Sequence, residues 1–522
     1  MNYQLIFIVT CALFTCGVTY ASNCIHRDYG YGASVCVCNE TYCDSLEPIV
    51  KTENGLVQSY VTSIGGDRLT RTDLHFEKVE HQHESINVTV TINSEIKYHK
   101  IVGFGGAFTD AAGFNIVKLP KSMQTRLIED YYGSDGIEYR IARVPMGGCD
   151  FSTRPYTYDD HPNDFNLSKF ALQSEDLQYK IPYLKMAQEA SSDRLSIFAS
   201  PWGPPAWMKE NGKINEGGFL IGAPGEKYYK TWAKYYVKFL DEYTKHNISI
   251  WAITILNEPE VGFIQHFGWN SLALNATLER DFIKLDLIPE LHRNGYTKDK
   301  LKLIILDGQI SWVGDFANTI LGDETLKDNI SGIGYHWYLN FIANRTEVDV
   351  VSRKFPDHFL LSTEACQELY GEELHLGEWK TFNRYVDDII KDLNHYTSGW
   401  IDWNIALDVT GGPNWAKNNV KAPIIVNVTD SGAEYYKEPF FYGLGHFSKF
   451  LVPESVRVHH ETNLNDDEDN VLLTVFQRPD NGTVLTLLNK HETPITVSVN
   501  DPKYGHLYVK VQPEALQTLL WY

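Results

Sequence analysis

From about residue 99 to residue 407, one pattern of hydrophobic and polar positions repeats along the chain. A short apolar run ends in Gly, Pro or polar residues, and a longer segment with helical periodicity follows. Two such segments, Tyr228–Tyr243 and Trp379–Leu393, are predicted helices. Eight units predict an α/β fold, a (β/α)8 TIM barrel rather than an open sheet. The apolar runs are His99–Phe108, Ile137–Pro145, Leu195–Pro201, Ile248–Leu256, Leu301–Asp307, Gly332–Trp337, His358–Thr363 and Gly399–Asn404.

Both ends of the chain carry β-strand patterns instead. Val471–Phe476 and Thr483–Leu488 flank a Pro-Asp-Asn-Gly turn, which predicts a hairpin. Because neither end is large enough to fold comfortably alone, we expect both to pair in one all-β accessory domain. The other predicted strands are Val88–Ile92, Ile495–Val499, Leu507–Val511 and Leu516–Trp521.

These patterns give four predicted regions. Residues 1–21 are interpreted as a signal peptide, because the apolar run Leu5–Phe14 is too short to span a membrane and small residues follow it. Residues 22–50 and 408–437 are assigned to a small disulfide-containing β-sheet region. Residues 51–98 and 453–522 are assigned to a β-sandwich accessory domain, and residues 99–407 and 438–452 to the catalytic barrel. The mature protein is expected in the secretory pathway.

Cysteine spacing agrees with an oxidising compartment. Cys24, Cys36, Cys38 and Cys43 lie within twenty residues, where two disulfides with three possible connectivities are expected. No second cysteine pair follows at zinc-site spacing, so a metal is not expected. Cys149 and Cys366, each at the end of an apolar run, are expected to be buried free thiols.

The net charge of −21 excludes some partners. Nucleic-acid phosphates require a basic surface, and anionic membranes repel an acidic protein at neutral pH. Protonation of the 18 His would cancel most of this charge, which suits an acidic compartment. Plain solubility is an equally good explanation.

Two glutamates end predicted strands on opposite sides of the barrel. Glu258 follows the fourth run and Glu364 follows the seventh. Reactive groups of such barrels lie at the C-terminal ends of the strands, so the two carboxylates should face each other across the mouth. One can protonate a leaving oxygen while the other attacks the anomeric carbon, which is the chemistry of glycoside hydrolysis.

Aromatic residues collect at the same strand ends and suit the stacking of sugar rings. We expect about half of these tryptophans to fill the barrel instead. Asp150 is a candidate acceptor for sugar hydroxyls. Arg143 is expected to be buried, either keeping the nucleophile ionised or forming a structural ion pair. The aromatic residues are Trp202, Trp207, Trp337, Tyr338, Trp400 and Trp403.

From about Cys24 to Tyr522 the chain resembles the acid β-glucosidases (glucosylceramidases) of glycoside hydrolase family 30. Eight segments carry the resemblance. They are Gly103–Ala111 (GFGGAFTDA), Arg143–Ser152 (RVPMGGCDFS), Ser200–Trp207, Leu256–Pro259 (LNEP), Tyr335–Tyr338 (YHWY), Ser362–Gln367 (STEACQ), Gly399–Asn404 (GWIDWN) and Gly411–Trp415 (GGPNW).

The resemblance implies Glu258 as acid/base and Glu364 as nucleophile in a retaining mechanism without metal or cofactor. It also implies disulfides Cys24–Cys36 and Cys38–Cys43. Arg143 and His336 are expected to support the site. The implied substrate is a glycolipid, with peripheral membrane contact, help from a saposin-like activator protein and residence in the lysosomal lumen. The extracellular space is the alternative destination for a protein of the secretory pathway. The expected substrate-binding residues are Asp150, Trp202, Asn257, Gln309, Tyr338, Trp403 and Asn418.

Two other functions fit the same residues. One is a family 30 endo-β-glucanase or xylanase that acts on polysaccharide. The other is a secreted carbohydrate-binding protein that has lost activity, which the presence of both glutamates disfavours.

Overall fold

A computed structural model describes residues 23–53, 55–78, 86–369, 371–464 and 470–522. The predicted signal peptide lies outside the described residues. Three sheets organise the chain: a closed eight-stranded barrel, a nine-stranded sheet and a five-stranded sheet. Within the described ranges, no helix combines the length and the apolar character needed to cross a bilayer.

The eight predicted barrel strands are present, and the prediction of a TIM barrel is confirmed. Neighbouring strands pair in parallel in chain order, and the last strand pairs with the first. We number them barrel strands 1 to 8. They span Gly103–Ala107, Ile141–Met146, Ser196–Pro201, Ala252–Thr254, Lys302–Gln309, Ile330–His336, Phe359–Glu364 and Thr397–Asn404.

The first apolar run was expected to be one strand, but the structure divides it. His99 and Lys100 end a strand of the nine-stranded sheet, Val88–Lys100, and barrel strand 1 begins at Gly103. The apolar residues Ile101 and Val102 lie between the two strands, so the hydrophobic pattern runs through the boundary without a break.

Helices cover the barrel where the periodic segments predict them. The helix Trp379–Asn394 buries Phe382, Val386, Ile389 and Leu393, a stripe with the three- and four-residue spacing of one helix face. The α-helices are Asp110–Ile116, Lys121–Tyr132, Ile181–Ala190, Lys227–Lys245, Ala276–Phe282, Ile288–Arg293, Val313–Phe316, Thr346–Lys354, Trp379–Asn394 and Pro439–Ser448.

Strands from both chain ends share the nine-stranded sheet, as expected for the accessory domain. The C-terminal strand Ala515–Trp521 pairs with Leu56–Ser63, and Val456–Thr462 pairs with Val88–Lys100. The predicted hairpin is present. In sheet order the strands are Gly505–Val511, Ile495–Asp501, Val88–Lys100, Val456–Thr462, Val471–Gln477, Thr483–Asn489, Ala515–Trp521, Leu56–Ser63 and Thr70–His75.

The five-stranded sheet joins the N-terminal cysteines to a segment that follows the barrel. Disulfides link Cys24 to Cys36 and Cys38 to Cys43, while Cys149 and Cys366 are buried thiols. In sheet order the strands are His26–Asp28, Ser34–Asn39, Gly432–Lys437, Ile424–Thr429 and Leu407–Asp408.

An apolar layer of side chains fills the interior of the barrel, and a polar layer lies above it, nearer the C-terminal ends of the strands. Side chains of a strand alternate between its two faces, so a residue two positions further on returns to the interior. Arg143, Ser200 and Thr254 follow members of the apolar layer in this way and form a polar layer nearer the C-terminal ends. The apolar layer consists of Ile141, Phe198, Ala252, Ile304, Leu361 and Ile401.

Candidate active site

The C-terminal ends of the barrel strands open into a cavity of about 440 Å³. The structure brings all the predicted catalytic and substrate-binding residues together on its wall. Arg143 and His336 lie beneath the cavity and are fully buried. The lining residues predicted from the sequence are Asp150, Trp202, Asn257, Glu258, Gln309, Tyr338, Glu364, Trp403 and Asn418.

Glu258 and Glu364 face each other on the floor of the cavity. One carboxylate oxygen of Glu258 lies within 4.8 Å of one of Glu364, and the two residues are only 8% and 6% exposed. Glu258 has a φ of +47°, a left-handed conformation that costs a non-glycine residue about 1–3 kcal/mol. Its backbone N–H donates to the Asp307 carbonyl oxygen at 2.7 Å, which helps to fix this turn.

The guanidinium of Arg143 connects the nucleophile candidate to the polar layer. Its Nη1 donates to Glu364 Oε2, and its Nη2 donates to Asn257 Oδ1 at 2.7 Å and Asp307 Oδ2 at 3.0 Å. Burial alone would lower the pKa of Arg143, but the charges of Asp307 and Glu364 raise it. Arg143 therefore stays charged and contacts two carboxylates, Asp307 in a fully buried ion pair and Glu364 at the edge of the cavity.

Asp307 is the centre of this buried network. Ser200 Oγ and Thr254 Oγ1 donate to its Oδ2 at 2.8 and 2.7 Å. Burial would raise the pKa of Asp307, but the charge of Arg143 and the hydrogen bond from His336 hold it well below its usual range. Asp307 is therefore a carboxylate at every pH at which the protein is expected to work.

His336 joins Asp307 to Glu258. Its Nε2 lies 3.1 Å from Asp307 Oδ1 and its Nδ1 lies 3.2 Å from Glu258 Oε1. Burial would lower the pKa of His336, but Glu364 and the other two carboxylates raise it to about 10. His336 is thus an imidazolium whose two N–H groups both donate.

Two neighbours complete the contacts of the glutamates. The Tyr338 hydroxyl donates to Glu364 Oε1 at 2.7 Å, and Gln309 Nε2 donates to Glu258 Oε1 at 3.3 Å. The backbone N–H of Gln309 donates in turn to Glu260 at 2.7 Å. Burial, together with the nearby charge of Glu258, raises the pKa of Glu260 to about 7.

The far wall of the cavity combines flat aromatic rings with a carboxyl group. The rings of Trp202 and Trp403 stack with centroids 5.2 Å apart. Asn418 Nδ2 donates to Asp150 Oδ2 at 2.8 Å. Burial raises the pKa of Asp150 to about 7. Such a wall offers a sugar ring an apolar face and polar partners for its hydroxyls.

The other predicted aromatic residues lie away from the cavity. Trp337 and Trp400 pack edge-to-face on each other, with Tyr385 of the helix Trp379–Asn394 against both. Trp207 packs against Phe165 and donates its indole N–H to the Asp159 carbonyl oxygen. Trp337 and Trp400 therefore pack between the barrel and its helices and not inside the barrel, where about half of the tryptophans were expected from the sequence, and Trp207 is only partly buried.

Several residues of the site were not identified from the sequence. Asp307 accepts hydrogen bonds from Ser200 and Thr254 of the polar layer, and Phe267 and Trp269 add aromatic rings to the cavity wall. Asp307 is the last residue of a predicted apolar run, and Glu258 and Glu364 lie just after the ends of two other runs. A polar residue at the end of an apolar run was therefore the sequence feature that could have identified Asp307.

Glu258, His336 and Glu364 also form a cluster that a metal ion could in principle use. Both ring nitrogens of His336 already lie within hydrogen-bond distance of carboxylate oxygens, 3.2 Å from Glu258 and 3.1 Å from Asp307. A metal bound to His336 would have to replace one of these two contacts.

Comparison with known proteins identifies the family. Residues 101–451 match the glycosyl hydrolase family 30 TIM-barrel domain and residues 454–519 match the family 30 β-sandwich domain. The chain is 39% identical to lysosomal acid glucosylceramidase of Mus musculus over 504 residues, covering 96% of each chain. It is 40% identical to putative glucosylceramidase 3 of Caenorhabditis elegans over 491 residues, 93% of this chain and 92% of the relative.

A solved structure agrees with these matches. The crystal structure of SrfJ from Salmonella typhimurium superposes with a TM-score of 0.80 at 26% identity, covering 89% of this chain and 99% of SrfJ. The matches extend over both the barrel and the strands that follow it. The chain therefore belongs to glycoside hydrolase family 30 and is a glycoside hydrolase.

Proposed function

We propose that the protein is a retaining β-glucosidase that hydrolyses glucosylceramide to glucose and ceramide. The observation that carries the proposal is the separation of Glu258 and Glu364, whose nearest oxygens lie within 4.8 Å. Retaining glycosidases hold their carboxyl groups about 5–5.5 Å apart, whereas inverting enzymes need about 6.5–9.5 Å to admit a water molecule.

In the first step, Glu364 attacks the anomeric carbon of the glucoside. The bond from that carbon to the ceramide oxygen breaks, and protonated Glu258 gives its proton to the departing oxygen. The products of this step are ceramide and a glucose covalently bound to Glu364.

In the second step, Glu258 acts as a general base. It removes a proton from water, whose oxygen attacks the anomeric carbon and displaces the Glu364 carboxylate. Two inversions at one carbon restore the β configuration of the released glucose.

Residues beneath and beside the cavity orient the nucleophile. Arg143 and Tyr338 donate to different oxygens of Glu364, which fixes the direction in which the carboxylate points. Asp307 and His336 hold Arg143 and Glu258 in position through the buried network. We assign positioning roles to these two residues, because neither lines the cavity.

The aromatic wall and Asp150 are the proposed glucose subsite. We assign Trp202 and Trp403, whose rings stack on each other, to contact with one face of the sugar ring. Asp150, Asn257 and Asn418 supply polar groups for its hydroxyls, and Gln309 lies beside the acid/base.

An apolar rim is the proposed lipid side of the site. Phe263, Trp312, Phe341 and Ile342 are exposed in the loops that follow barrel strands 4, 5 and 6. Exposed apolar groups at one end of a soluble protein favour contact with lipid. We therefore propose peripheral membrane contact at this rim, with a saposin-like activator assisting transfer of the substrate.

The place of action is proposed from the relatives and from charge. The mouse relative is named a lysosomal enzyme, and the acidic composition suits an acidic lumen. We propose that the protein acts in the lysosomal lumen after entry into the secretory pathway.

Trapping of the covalent intermediate tests the mechanism. A 2-deoxy-2-fluoro-β-glucoside with an activated leaving group should label Glu364, located by peptide mass spectrometry. Glu364→Gln should abolish the label, whereas Glu368→Gln, a carboxylate in the same cavity, should keep it. A label on any other residue, or α-glucose as the first product in NMR, would contradict the proposal.

A substrate comparison tests specificity. Glucosylceramide in detergent micelles, a soluble β-1,6-glucan and xylan are assayed with the same enzyme preparation. Cleavage of the lipid alone supports the proposal. Cleavage of glucan or xylan without the lipid would assign the protein to the endo-glycanases of the family.

A further inference from the structure

A second cavity, of about 580 Å³, lies at the opposite end of the barrel from the glutamates. Ser196, the first residue of barrel strand 3, and Val102, just before barrel strand 1, both line it. Its wall also includes a residue of the nine-stranded sheet's hairpin, Arg478. The lining residues are Ile49, Val102, Glu138, Arg140, Arg194, Ser196, Lys449, Val452, Pro453 and Arg478.

The charge of this cavity is opposite to that of the whole protein. Four of its lining residues are cations, and Glu138 is the one carboxylate among the described residues that line it. The whole chain carries a net charge of −21. In an acidic protein, an anion is attracted only to a region where cations are concentrated. Anion binding to this protein is therefore expected at this cavity and not over the whole surface.

Two of the four cations already have their partners. Lys449 Nζ donates to the carbonyl oxygens of Ser134 and Gly136 and to Glu138. Arg478 is paired with Asp480, with Nη2 and Oδ2 3.1 Å apart. These two residues hold the cavity wall together and offer little further to a ligand.

Arg140 retains a donor that nothing satisfies. The residue is 5% exposed, and its Nη2 donates to Glu138 Oε2 at 2.6 Å. Its buried Nη1 has no hydrogen-bond partner among the described residues. A buried charged donor that lacks a partner is strongly unfavourable, so buried donors are nearly always satisfied.

Arg194 stands at the exposed edge of the same cavity. Its Nε donates to the Ser191 carbonyl oxygen at 3.1 Å. No carboxylate of the described ranges lies within ion-pair distance of its guanidinium. Burial lowers the pKa of Arg140, the charge of its partner Glu138 raises it, and the charge of Arg194 lowers it, so the two guanidinium groups are close enough to repel each other.

We propose that this cavity binds a phosphate group, with Arg140 and Arg194 as its principal ligands. A planar guanidinium presents paired N–H donors that match the oxygens of phosphate, and two of them compensate its double charge. The volume admits a phosphate monoester with a small organic substituent. The site lies at the other end of the barrel from the glutamates and does not depend on the glucosylceramidase proposal.

Titration calorimetry of the full-length protein with inorganic phosphate at low ionic strength tests the proposal. We expect saturable one-to-one binding. Arg140→Gln and Arg194→Gln should each weaken the phosphate affinity at least roughly tenfold, because each removes hydrogen bonds to a charged ligand. Arg293→Gln, an exposed arginine on the helix Ile288–Arg293, is the matched control and should leave the affinity unchanged.

Two competitors identify the source of the phosphate. Displacement by glycerol 3-phosphate but not by phosphatidic acid in phosphatidylcholine vesicles would assign a soluble ligand. Displacement by those vesicles, and not by vesicles of phosphatidylcholine alone, would assign a lipid headgroup. Hydrolysis of a chromogenic β-glucoside at wild-type rate shows that the variants are folded. Absence of saturable binding, or equal affinity in wild type and both variants, would overturn the proposal.

Discussion

Arg143 and Asp307 form an ion pair that is completely buried beneath the cavity, with Nη2 and Oδ2 3.0 Å apart. The pair contributes no atom to the cavity wall, but Arg143 also holds Glu364 and Asp307 also holds His336. A buried charge without its partner is strongly unfavourable, so each member of this pair is needed to keep the other in place.

We expect Asp307→Asn to destabilise the protein by about 3–5 kcal/mol, because Arg143 and His336 lose a buried counter-charge. The turnover number should fall with little change in KM, since the cavity wall itself is intact. Chemical denaturation and steady-state kinetics on a chromogenic β-glucoside measure the two effects. The exposed Asp299→Asn should change neither quantity, and an unchanged turnover number in Asp307→Asn would contradict a positioning role.

Asp150 is expected to recognise a specific hydroxyl of glucose. Asp150→Asn should lower kcat/KM for β-glucosides roughly 3- to 10-fold in an acidic buffer, the usual loss for one hydrogen bond between uncharged groups, because burial raises the pKa of Asp150 to about 7. A series of deoxyglucosides locates the partner. Wild type and variant should become equally active on the one substrate that lacks the contacted hydroxyl.

The same deoxyglucoside series can contradict the expected role of Asp150. If Asp150→Asn lowers activity equally on every substrate of the series, the carboxyl acts on the site as a whole and not on one hydroxyl. Asn418 would then be the group to examine, because it is hydrogen-bonded to Asp150 and lines the same cavity.

The apolar rim is expected to matter for lipid and not for soluble substrate. Phe341 and Ile342 are 75% and 70% exposed in the loop after barrel strand 6. Replacing both with Ser should lower hydrolysis of glucosylceramide in vesicles, while activity on a soluble β-glucoside stays the same. The matched control is Ile96→Ser, an exposed apolar residue of the nine-stranded sheet. A parallel loss on both substrates would indicate damage to the cavity instead.

The barrel strands and the two glutamates were accessible from the sequence because both depend on where apolar runs end. Asp307 was not, although it also ends a run. Its orientation depends on a register shift between Leu306 and Gly308, where Leu306 and Asp307 both have positive φ. A hydrophobic pattern does not reveal such a bulge, which turns a side chain from one face of the strand to the other. The tertiary packing that sends Trp202 to the cavity and Trp400 to the helix layer is likewise absent from local sequence.

Buried carboxyl groups make stability depend on pH in a defined direction. Burial raises the pKa of Glu279 to about 8 and that of Glu438 to about 7. The folded protein keeps these protons after the unfolded chain has released them near pH 4.5, so the free energy of unfolding falls as pH rises toward the raised pKa. His336, with its pKa raised to about 10, acts in the same direction above pH 6.5.

We therefore expect the melting temperature to fall between pH 6.5 and pH 8. The buried neutral His99 and His446 do not affect the trend in this range, because these histidines are then neutral in the unfolded chain as well.

Glu279→Gln should make the decline of the unfolding free energy shallower by about 1.4 kcal/mol per pH unit, since one proton fewer is retained on folding. Glu189→Gln, at an exposed position, should leave the slope unchanged. Denaturant titrations at several pH values measure it. A slope that is the same in wild type and Glu279→Gln would mean that Glu279 is ionised in the folded protein.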